Sequence, residues 1–248
     1  MKKKFCVSLT TIPPRFNTLE KTLDSIFNQN LKPNKIFLNI PKTYKRFDNN
    51  NLNLDYLEKR YKALKISHCD DFGPGTKLLG SLSLIDDYDY VVLIDDDHIY
   101  DREMLKIFNE SFYQNPNKAY SFCVYDILDC KIGQGADGFL INSSFLKKIN
   151  SFYHKYVENN SKLFFNDDLW ISIFINKFLN KDIENLFLKL SKYFLFFKKK
   201  SVYKKHIKVS SLIEKYNIDG RTAKSLKFKE NCEEYLNLKF NTNNFKEF

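Results

Sequence analysis

The stretch from Tyr90 to His98 constrains the fold most, because an apolar run there ends abruptly in three carboxylates. The apolar residues Val91–Ile94 predict a strand buried on both faces, as in the interior of a parallel sheet. Asp95, Asp96 and Asp97 follow at its carboxyl end, where open α/β sheets bind ligands. Alternation along an extended chain points Asp95 and Asp97 to one side, and two converging carboxylates suit a hard divalent cation. The alternative is a solvated acidic turn, which the buried strand disfavours.

Length and composition bound the class of protein. A chain of 248 residues with 43% hydrophobic content can bury a core, most simply as one domain with a C-terminal extension. No apolar run is long enough to cross a bilayer, and the lysines at 2–4 lead into a strand pattern instead of a signal peptide. We therefore expect a cytoplasmic protein. The five cysteines are odd in number and form no C-x-x-C pair, so we expect free thiols. The net charge of +10 favours anionic partners, namely nucleotide diphosphates, anionic lipid or nucleic acid.

The N-terminal segment predicts a strand over residues 4–9 and a stiff loop behind it, since Pro13 and Pro14 exclude helix and sheet. The Thr10 and Thr11 hydroxyls and the Arg15 guanidinium can contact a nucleotide from this loop, because the planar arginine fork suits phosphate. A rigid turn with a surface arginine is an equal alternative. Further strands are predicted over 35–40 and 64–68, with a helix over 19–28 and another between the two strands.

The loop from Asp71 to Lys77 is the second informative segment. Gly73 and Gly75 let backbone N–H groups approach a ligand closely, Thr76 can cap a helix predicted over 78–86, and Lys77 lies in its first turn. The loop matches neither the P-loop nor the dinucleotide G-x-G-x-x-G pattern. A plain turn with a capped helix remains the alternative.

Two further acidic positions follow a helix predicted over 102–115 and strand-like residues over 119–130. Asp137 lies in the glycine-rich turn 133–138, where an aspartate between glycines can simply stabilise the turn. Asp167 and Asp168 stand at the start of a helix, a position at which aspartate is normally a cap.

Taken in order, these segments resemble the GT-A fold nucleotide-sugar glycosyltransferases of the family 2 type. The residues 95–97 resemble their Asp-x-Asp motif, Asp71–Lys77 resembles an Asp-x-Gly-x-x-Thr-Lys segment, and Asp167-Asp168 resembles their Glu-Asp pair. The resemblance implies an α/β fold with a mostly parallel Rossmann-like sheet flanked by helices over residues 1–185. Residues 186–248 are then a basic and aromatic extension, small and helical. One departure is Asn39-Ile40-Pro41, which stands where many such enzymes have an Asp pair that reads the base.

The resemblance also implies an activity and a set of site residues. It implies transfer of a sugar from a nucleotide-diphosphate-sugar to an acceptor hydroxyl of a glycan or lipid-linked glycan, with inversion, as in polysaccharide biosynthesis. Asp168 is then the catalytic base and Asp167 its neighbour, whose carboxylate raises the pKa of the base. Mn²⁺ or Mg²⁺ is held by Asp95 and Asp97, with His206 as a further metal ligand. The implied donor-binding residues are Thr10, Thr11, Arg15, Asp71, Lys77, Asp95, Asp96 and Asp137, the last through hydrogen bonds to sugar hydroxyls.

The tail and the overall charge leave other functions open. The aromatic residues 193–197 lie beside Lys198–Lys200, and this stretch either docks on an anionic membrane surface or is a core strand followed by solvated lysines. Docking would make the protein peripheral at the inner face of the membrane. A metal-dependent nucleotidyltransferase would use the same acidic strand end, and a non-enzymatic basic protein would bind nucleic acid with a steep salt dependence.

Overall fold

The computed structural model describes residues 3–47, 54–187 and 203–206 of the chain. Its strands are β1 (Phe5–Thr10), β2 (Lys35–Pro41), β3 (Leu64–Cys69), β4 (Tyr90–Leu93), β5 (His98–Tyr100), β6 (Ala119–Ser121), β7 (Val124–Ile127), β8 (Cys130–Gly133), β9 (Phe139–Asn142), β10 (Ile183–Asn185) and β11 (Tyr203–His206).

A seven-stranded sheet with the order β10-β6-β9-β4-β1-β2-β3 forms the centre of the described residues. Strand β1 pairs in parallel with β2 and β4, β2 with β3, and β10 with β6. Strand β9 runs antiparallel to its neighbours β4 and β6. The mostly parallel α/β sheet expected from the sequence is therefore confirmed.

Helices cover both faces of this sheet. They are α1 (Phe16–Phe27), α2 (Tyr56–Arg60), α3 (Thr76–Leu79), α4 (Leu82–Ile85), α5 (Met104–Gln114), α6 (Ile149–Tyr156), α7 (Ser161–Phe164) and α8 (Asp167–Ile173). Apolar residues of α1, α2 and α5 pack into the core on one side, and those of α3, α4, α6, α7 and α8 into the core on the other. Among the described residues, none of the helices is both long and apolar enough to cross a bilayer.

Strand β4 is buried on both faces, as predicted. Val91 and Leu93 belong to one core, and Tyr90, Val92 and Ile94 to the other, with at most 1% of any of these residues exposed. A strand with apolar contacts on both sides is fixed in register, because a one-residue shift would exchange its two faces. The acidic residues after β4 therefore have a rigid attachment at the centre of the sheet.

Two predicted elements differ in the structure. Pro13 and Pro14 do not exclude helix: Pro13–Arg15 is a 3₁₀ turn that leads directly into α1. Proline suits a helix start because its missing N–H needs no partner there. The single helix predicted over 78–86 is instead two short helices, α3 and α4, separated at Gly80. Glycine is a weak helix former, and a Cβ at Gly80 would lie 2.8 Å from the Cβ of Asn39 in β2.

The strand-like residues 119–130 form β6 and then one arm of a hairpin, β7–β8. Leu128 and Asp129 at its turn have positive φ angles of 45° and 59°. A two-residue turn with both residues in the left-handed region matches the twist of the flanking strands. The hairpin follows β6 and leads into the turn that precedes β9, and Cys130 and Ile132 of β8 are buried in the core that also contains residues of α8.

Several chain segments meet at one edge of the sheet. Parallel pairing places the carboxyl ends of β1 to β4 at this edge. Because β9 is antiparallel and Phe139 pairs with Leu93, the 3₁₀ turn Gly135–Asp137 before β9 lies at the same edge. The residues that follow β1, β3 and β4 and those that precede β9 are thus brought together.

Part of the predicted C-terminal extension returns to this body. Strand β11 pairs antiparallel with β5, and the Cα of His206 lies opposite that of His98. The lysines 198–200, the aromatic run 193–197 and residues 207–248 lie outside the described residues. The division of the chain at residue 185 stays a prediction.

Candidate active site

The residues that follow β4 form a cluster of metal-ligand type. One ligand atom from each of Asp95, Asp97 and His98 lies within 4.8 Å of the others. Asp97 and His98 are buried, and Asp95 is half-buried. Asp95 and Asp97 thus converge, but through a turn at Asp96 and Asp97 and not through alternation along an extended strand. Two carboxylate oxygens and one imidazole nitrogen suit Mn²⁺, and the oxygens also suit Mg²⁺. The donor set therefore fits the divalent cation implied by the sequence.

His98 is oriented by its neighbour Asp97. Its Nδ1 lies 2.7 Å from Asp97 Oδ1. Burial alone would lower the pKa of His98, but the hydrogen bond and charge of Asp97 raise it above the ordinary value, with Asp95 and Asp137 adding to the effect. A bound cation would reverse this preference, because a metal ligand must give up its proton.

A second network joins the loop after β1 to the central carboxylates. Arg15 bridges two of them, with Nη1 2.6 Å from Asp96 Oδ1 and Nη2 2.9 Å from Asp97 Oδ2. The Thr11 hydroxyl donates to Asp96 Oδ2 at 2.5 Å. Burial raises the pKa of Asp96, and the charge of Arg15 only partly offsets this. Arg15, Thr11 and Asp96 thus brace the end of β4, while Thr10 donates to the Asn39 carbonyl at 2.8 Å.

Lys77 links the end of β4 to the start of α8. Its ammonium forms an ion pair with Asp95 and another with Asp167 Oδ2 at 2.9 Å. Burial alone would lower the pKa of Lys77, but Asp167, Asp95 and Asp168 together raise it well above the ordinary value. The side chain is therefore a fixed cation between two acidic segments that lie far apart in the sequence.

Buried polar groups fix the backbone of Lys77. The Ser8 hydroxyl donates to the Lys77 carbonyl at 2.5 Å, and Asn39 Nδ2 approaches the same oxygen at 3.2 Å. Asn39, which stands where many GT-A enzymes have an Asp pair, is fully buried and links β2 to α3 through this hydrogen bond. Because β1, β2 and α3 meet here, the lysine side chain is directed to the carboxyl edge of the sheet.

The acid pair at α8 is not a helix cap. Asn166 occupies the N-cap position and Asp167 is the first residue of the helix, so the capping alternative for Asp167 is wrong. Asp168 Oδ1 accepts the Gly135 N–H at 2.8 Å. Burial and the charge of Asp167 raise the pKa of Asp168 well above the ordinary value, although Lys77 lowers it. The folded protein thus favours the protonated form of the Asp168 carboxyl more than an exposed aspartate would.

The other two predicted acids lie in turns. Asp71 accepts the backbone N–H groups of Gly73 and Lys45, both at 2.7 Å, and so braces the loop after β3. Asp137 is buried in the turn before β9 and is close enough to His98 to raise the pKa of the imidazole. Asp137 therefore belongs to the central acidic cluster, whereas Asp71 supports its rim.

The structure thus brings together most of the predicted site residues at one edge of the sheet. They are Thr11, Arg15, Lys77, Asp95, Asp96, Asp97, Asp137, Asp167 and Asp168. Thr10 and Asp71 bond to backbone groups nearby, and His206 is placed through its strand pairing with His98. The roles assigned to these residues stay predictions.

Sequence reasoning missed two residues of this cluster. His98 directly follows the acidic triplet, and its place next to Asp97 was the available signal. Gly135 approaches so closely that a Cβ there would lie 2.9 Å from Asp168 Oδ1 and 3.2 Å from Lys77 Nζ. Its glycine-rich turn is evident in the sequence, but its position against the acid pair depends on the pairing of β9 with β4.

Comparisons of the sequence with protein-family models and with curated proteins gave no match. Solved structures do match. One is the mannosyltransferase PcManGT from Pyrobaculum calidifontis in complex with GDP-Man and Mn²⁺, with a TM-score of 0.54 and 14% identity over 74% of this chain and 55% of that chain. Another is S. aureus TarS 1-349, with a TM-score of 0.50 and 15% identity over 73% of this chain and 58% of that chain.

The likeness concerns the backbone fold. This chain has the GT-A fold of nucleotide-sugar glycosyltransferases. The fold implied by the sequence motifs is thereby confirmed. The matched part spans a little more than half the length of each of these two solved chains.

Proposed function

We propose that the protein is a glycosyltransferase that moves a sugar from a nucleotide-diphosphate-sugar donor to an acceptor hydroxyl and requires a divalent cation. The observation that carries the proposal is the meeting of two acidic segments at the carboxyl edge of a GT-A sheet. Asp95, Asp97 and His98 form one group, and Asp167 with Asp168 the other, joined by Lys77. One group suits a metal diphosphate, and the other suits proton removal from an acceptor.

Charge supports the need for a cation. Among the described residues, six carboxylates of this cluster outnumber the three basic side chains that pair with them, Arg15, Lys77 and His98. A donor diphosphate would add further negative charge and be repelled. Asp95 and Asp97 with His98 would hold Mn²⁺ or Mg²⁺, and His206, whose strand pairs with His98, is proposed as an additional ligand. The cation, when bound, supplies charge neutralisation for the leaving diphosphate.

Asp168 is the proposed general base. Its burial and the neighbouring Asp167 raise its pKa, which makes the ionised carboxylate a stronger base than an exposed aspartate. The Gly135 N–H bond fixes the carboxylate orientation, so that the acceptor hydroxyl can be met in one geometry. The proton passes from the acceptor oxygen to Asp168 as that oxygen attacks the anomeric carbon. Direct displacement of this kind inverts the anomeric centre.

Donor contacts are proposed for the loop after β1 and for α3. Arg15 and Lys77 are the cations at the cluster, and each can donate to phosphate oxygens once a metal compensates the carboxylates. Thr10, Thr11, Asp71, Asp96 and Asp137 line or brace the same edge. PcManGT was solved with GDP-Man and Mn²⁺ in the same fold, which supports a nucleotide-sugar and a divalent cation here.

The acceptor is proposed to be a glycan or a lipid-linked glycan. Lysines at 198–200 beside the aromatic run 193–197 support a peripheral contact with anionic lipid at the inner face of the membrane. Replacing Lys198, Lys199 and Lys200 by Glu should then weaken the free energy of binding to anionic vesicles, measured by sedimentation, by about 1 kcal/mol per lysine. Unchanged sedimentation would leave these lysines as a solvated face.

A donor screen tests the activity. The protein is incubated with Mn²⁺ and a panel of nucleotide sugars, with water or simple glycosides as acceptors, and the released nucleotide is identified. We expect a nucleoside diphosphate from one donor, and none in excess EDTA. Release of pyrophosphate from a nucleoside triphosphate and a sugar phosphate would instead identify a nucleotidyltransferase. Full donor turnover in EDTA would remove the metal from the proposal.

A further inference from the structure

The Lys77 ammonium occupies an unusual position for a lysine. Only 4% of the residue is exposed, and its charge lies between a carboxylate of the candidate metal group and one of the acid pair. Asp168 and the Gly135 backbone close the remaining space, since a Cβ at Gly135 would lie 3.2 Å from Lys77 Nζ. A buried ammonium is costly unless charged partners surround it, and here they do.

The single negative charge of the Asp95 carboxylate cannot serve two cations equally well. Asp95 Oδ1 pairs with Lys77, and Asp95 also belongs to the candidate metal group with Asp97 and His98. Two positive charges at one carboxylate repel each other. A divalent cation that binds alone must therefore weaken the Lys77–Asp95 pair, and this lowers its affinity.

A nucleoside diphosphate removes this conflict. Its oxygens bind the cation and also offer the ammonium a new anionic partner in place of Asp95. Lys77 keeps Asp167 throughout, so its movement is small. Cation and diphosphate then each favour the binding of the other, as the reciprocity of coupled binding requires.

We propose that Lys77 is a resident counter-ion that competes with the divalent cation for Asp95 and thereby makes metal binding depend on the donor diphosphate. The inference rests on the proposed function for the identity of the ligands. It goes beyond that function by assigning a regulatory role to Lys77: the site binds the metal tightly only together with its donor.

The test measures Mn²⁺ affinity by electron paramagnetic resonance titration of free Mn²⁺, with Lys77→Gln and the wild-type chain. Glutamine retains a hydrogen-bond donor for the carboxylates but removes the charge. We expect Lys77→Gln to bind Mn²⁺ alone at least about fivefold more tightly, the lower end of typical couplings between sites. In saturating UDP or GDP, whichever is bound, the gain in Mn²⁺ affinity should be larger for the wild type than for Lys77→Gln.

Lys118→Gln is the matched control. Lys118 also bridges two carboxylates, Asp182 Oδ2 at 3.1 Å and Glu184 Oε2 at 3.2 Å. These lie at and just before β10, the outermost strand of the sheet. Loss of Lys118 lowers the net charge equally and should leave Mn²⁺ affinity unchanged. A similar increase in both variants would reduce the effect to net charge and overturn the inference.

Two further outcomes would also overturn it. Weaker or unchanged Mn²⁺ binding in Lys77→Gln would mean that Lys77 holds Asp95 in place for the metal instead of competing with it. No gain from UDP or GDP in the wild type would remove the coupling. If Lys77→Gln does not fold without metal, refolding in Mn²⁺ becomes the readout, since the cation should replace the missing charge; failure to refold there contradicts the proposal. The donor screen decides the proposed function separately.

Discussion

Two clusters of carboxylates, each bridged by a lysine, lie at different places in this molecule and behave in opposite ways. One lies beside β10, the outermost strand of the sheet, where Asp182 is contacted by Lys131 at 2.6 Å and by Lys118 at 3.1 Å. Burial alone would raise the pKa of Asp182, but these two lysines lower it. At the candidate active site, burial and neighbouring carboxylates raise the pKa of Asp168 instead.

The difference lies in charge balance and exposure. The Asp182 and Lys118 side chains are 37% and 31% exposed, and lysines match carboxylates in number at that edge. In the candidate site, carboxylates outnumber lysine and arginine, and Lys77 is nearly fully buried. A cluster of ion pairs that only stabilises the fold can have balanced charges and stay partly exposed to solvent. An acidic excess in a buried place has a cost, which a bound cation can offset.

The largest expected effect follows from removal of a metal ligand. Asp97→Ala should reduce nucleoside diphosphate release to background, because several kcal/mol of charge stabilisation depend on the bound cation. The matched change in the cluster beside β10, Asp182→Ala, should leave turnover within about twofold, as expected for a substitution away from the candidate site. Both variants should retain the wild-type circular dichroism spectrum. Normal turnover in Asp97→Ala would place the metal elsewhere.

Loss of the base should have the next largest effect. Asp168→Asn removes the proton acceptor but keeps the shape, so turnover should fall by about 100- to 10,000-fold while donor binding persists. Asp167→Asn is the control and should be milder, since that carboxylate pairs with Lys77 instead of meeting the acceptor. A rate loss confined to Asp167→Asn would move the assignment of the base one residue back.

A smaller effect is expected from the turn before β9. In Gly135→Ala the new methyl group would lie 2.9 Å from Asp168 Oδ1, so the carboxylate must shift. Misplacement of a reacting group by a fraction of an ångström should lower kcat by about 10- to 100-fold. Since the atoms displaced are ends of flexible side chains, the free energy of unfolding should change by less than about 1 kcal/mol. An unchanged kcat would show that the orientation of Asp168 is not limiting.

The smallest effect concerns stability against pH, in which the two clusters differ in sign. The lowered pKa of Asp182 means that its ion pairs stabilise the protein above the ordinary aspartate pKa, and this contribution is lost as the pH falls through the lowered value. The raised pKa of Asp168 means that the folded state binds that proton more tightly than the unfolded chain. Stability therefore decreases as the pH rises from the ordinary value to the raised one.

Urea unfolding of metal-free protein at neutral and acidic pH checks these signs. Asp182→Asn should destabilise the protein at neutral pH by about 1 kcal/mol or less, because the pair is partly exposed, and the difference should vanish in acid. Asp168→Asn should stabilise the protein at neutral pH and lose this advantage in acid. Destabilisation by Asp168→Asn at neutral pH would mean that the ionised Asp168 carboxylate is stabilised by ion pairs, as that of Asp182 is by its lysines.

The sequence by itself determined the centre of the fold. An unbroken apolar run ending in three aspartates predicted both the doubly buried strand β4 and the ligand edge, because burial of apolar side chains and alternation along a strand are local properties. The order of the motifs predicted the GT-A fold, which the structural comparison confirmed. The sequence does not predict the 3₁₀ turn at Pro13–Arg15 or the break at Gly80, and the break depends on the close approach of Gly80 to Asn39 of β2.

Only the tertiary structure decided which side chains meet. Lys77, Asp95 and Asp167 are separated in the sequence, and their ion pairs exist because parallel β1 and β4 end, and antiparallel β9 begins, at one edge of the sheet. The same pairing brings Gly135 against Asp168, and the burial that follows raises the pKa of that carboxylate. Sequence supplies the charges, but distance and burial set their interaction energies, and these arise only when the strands are paired.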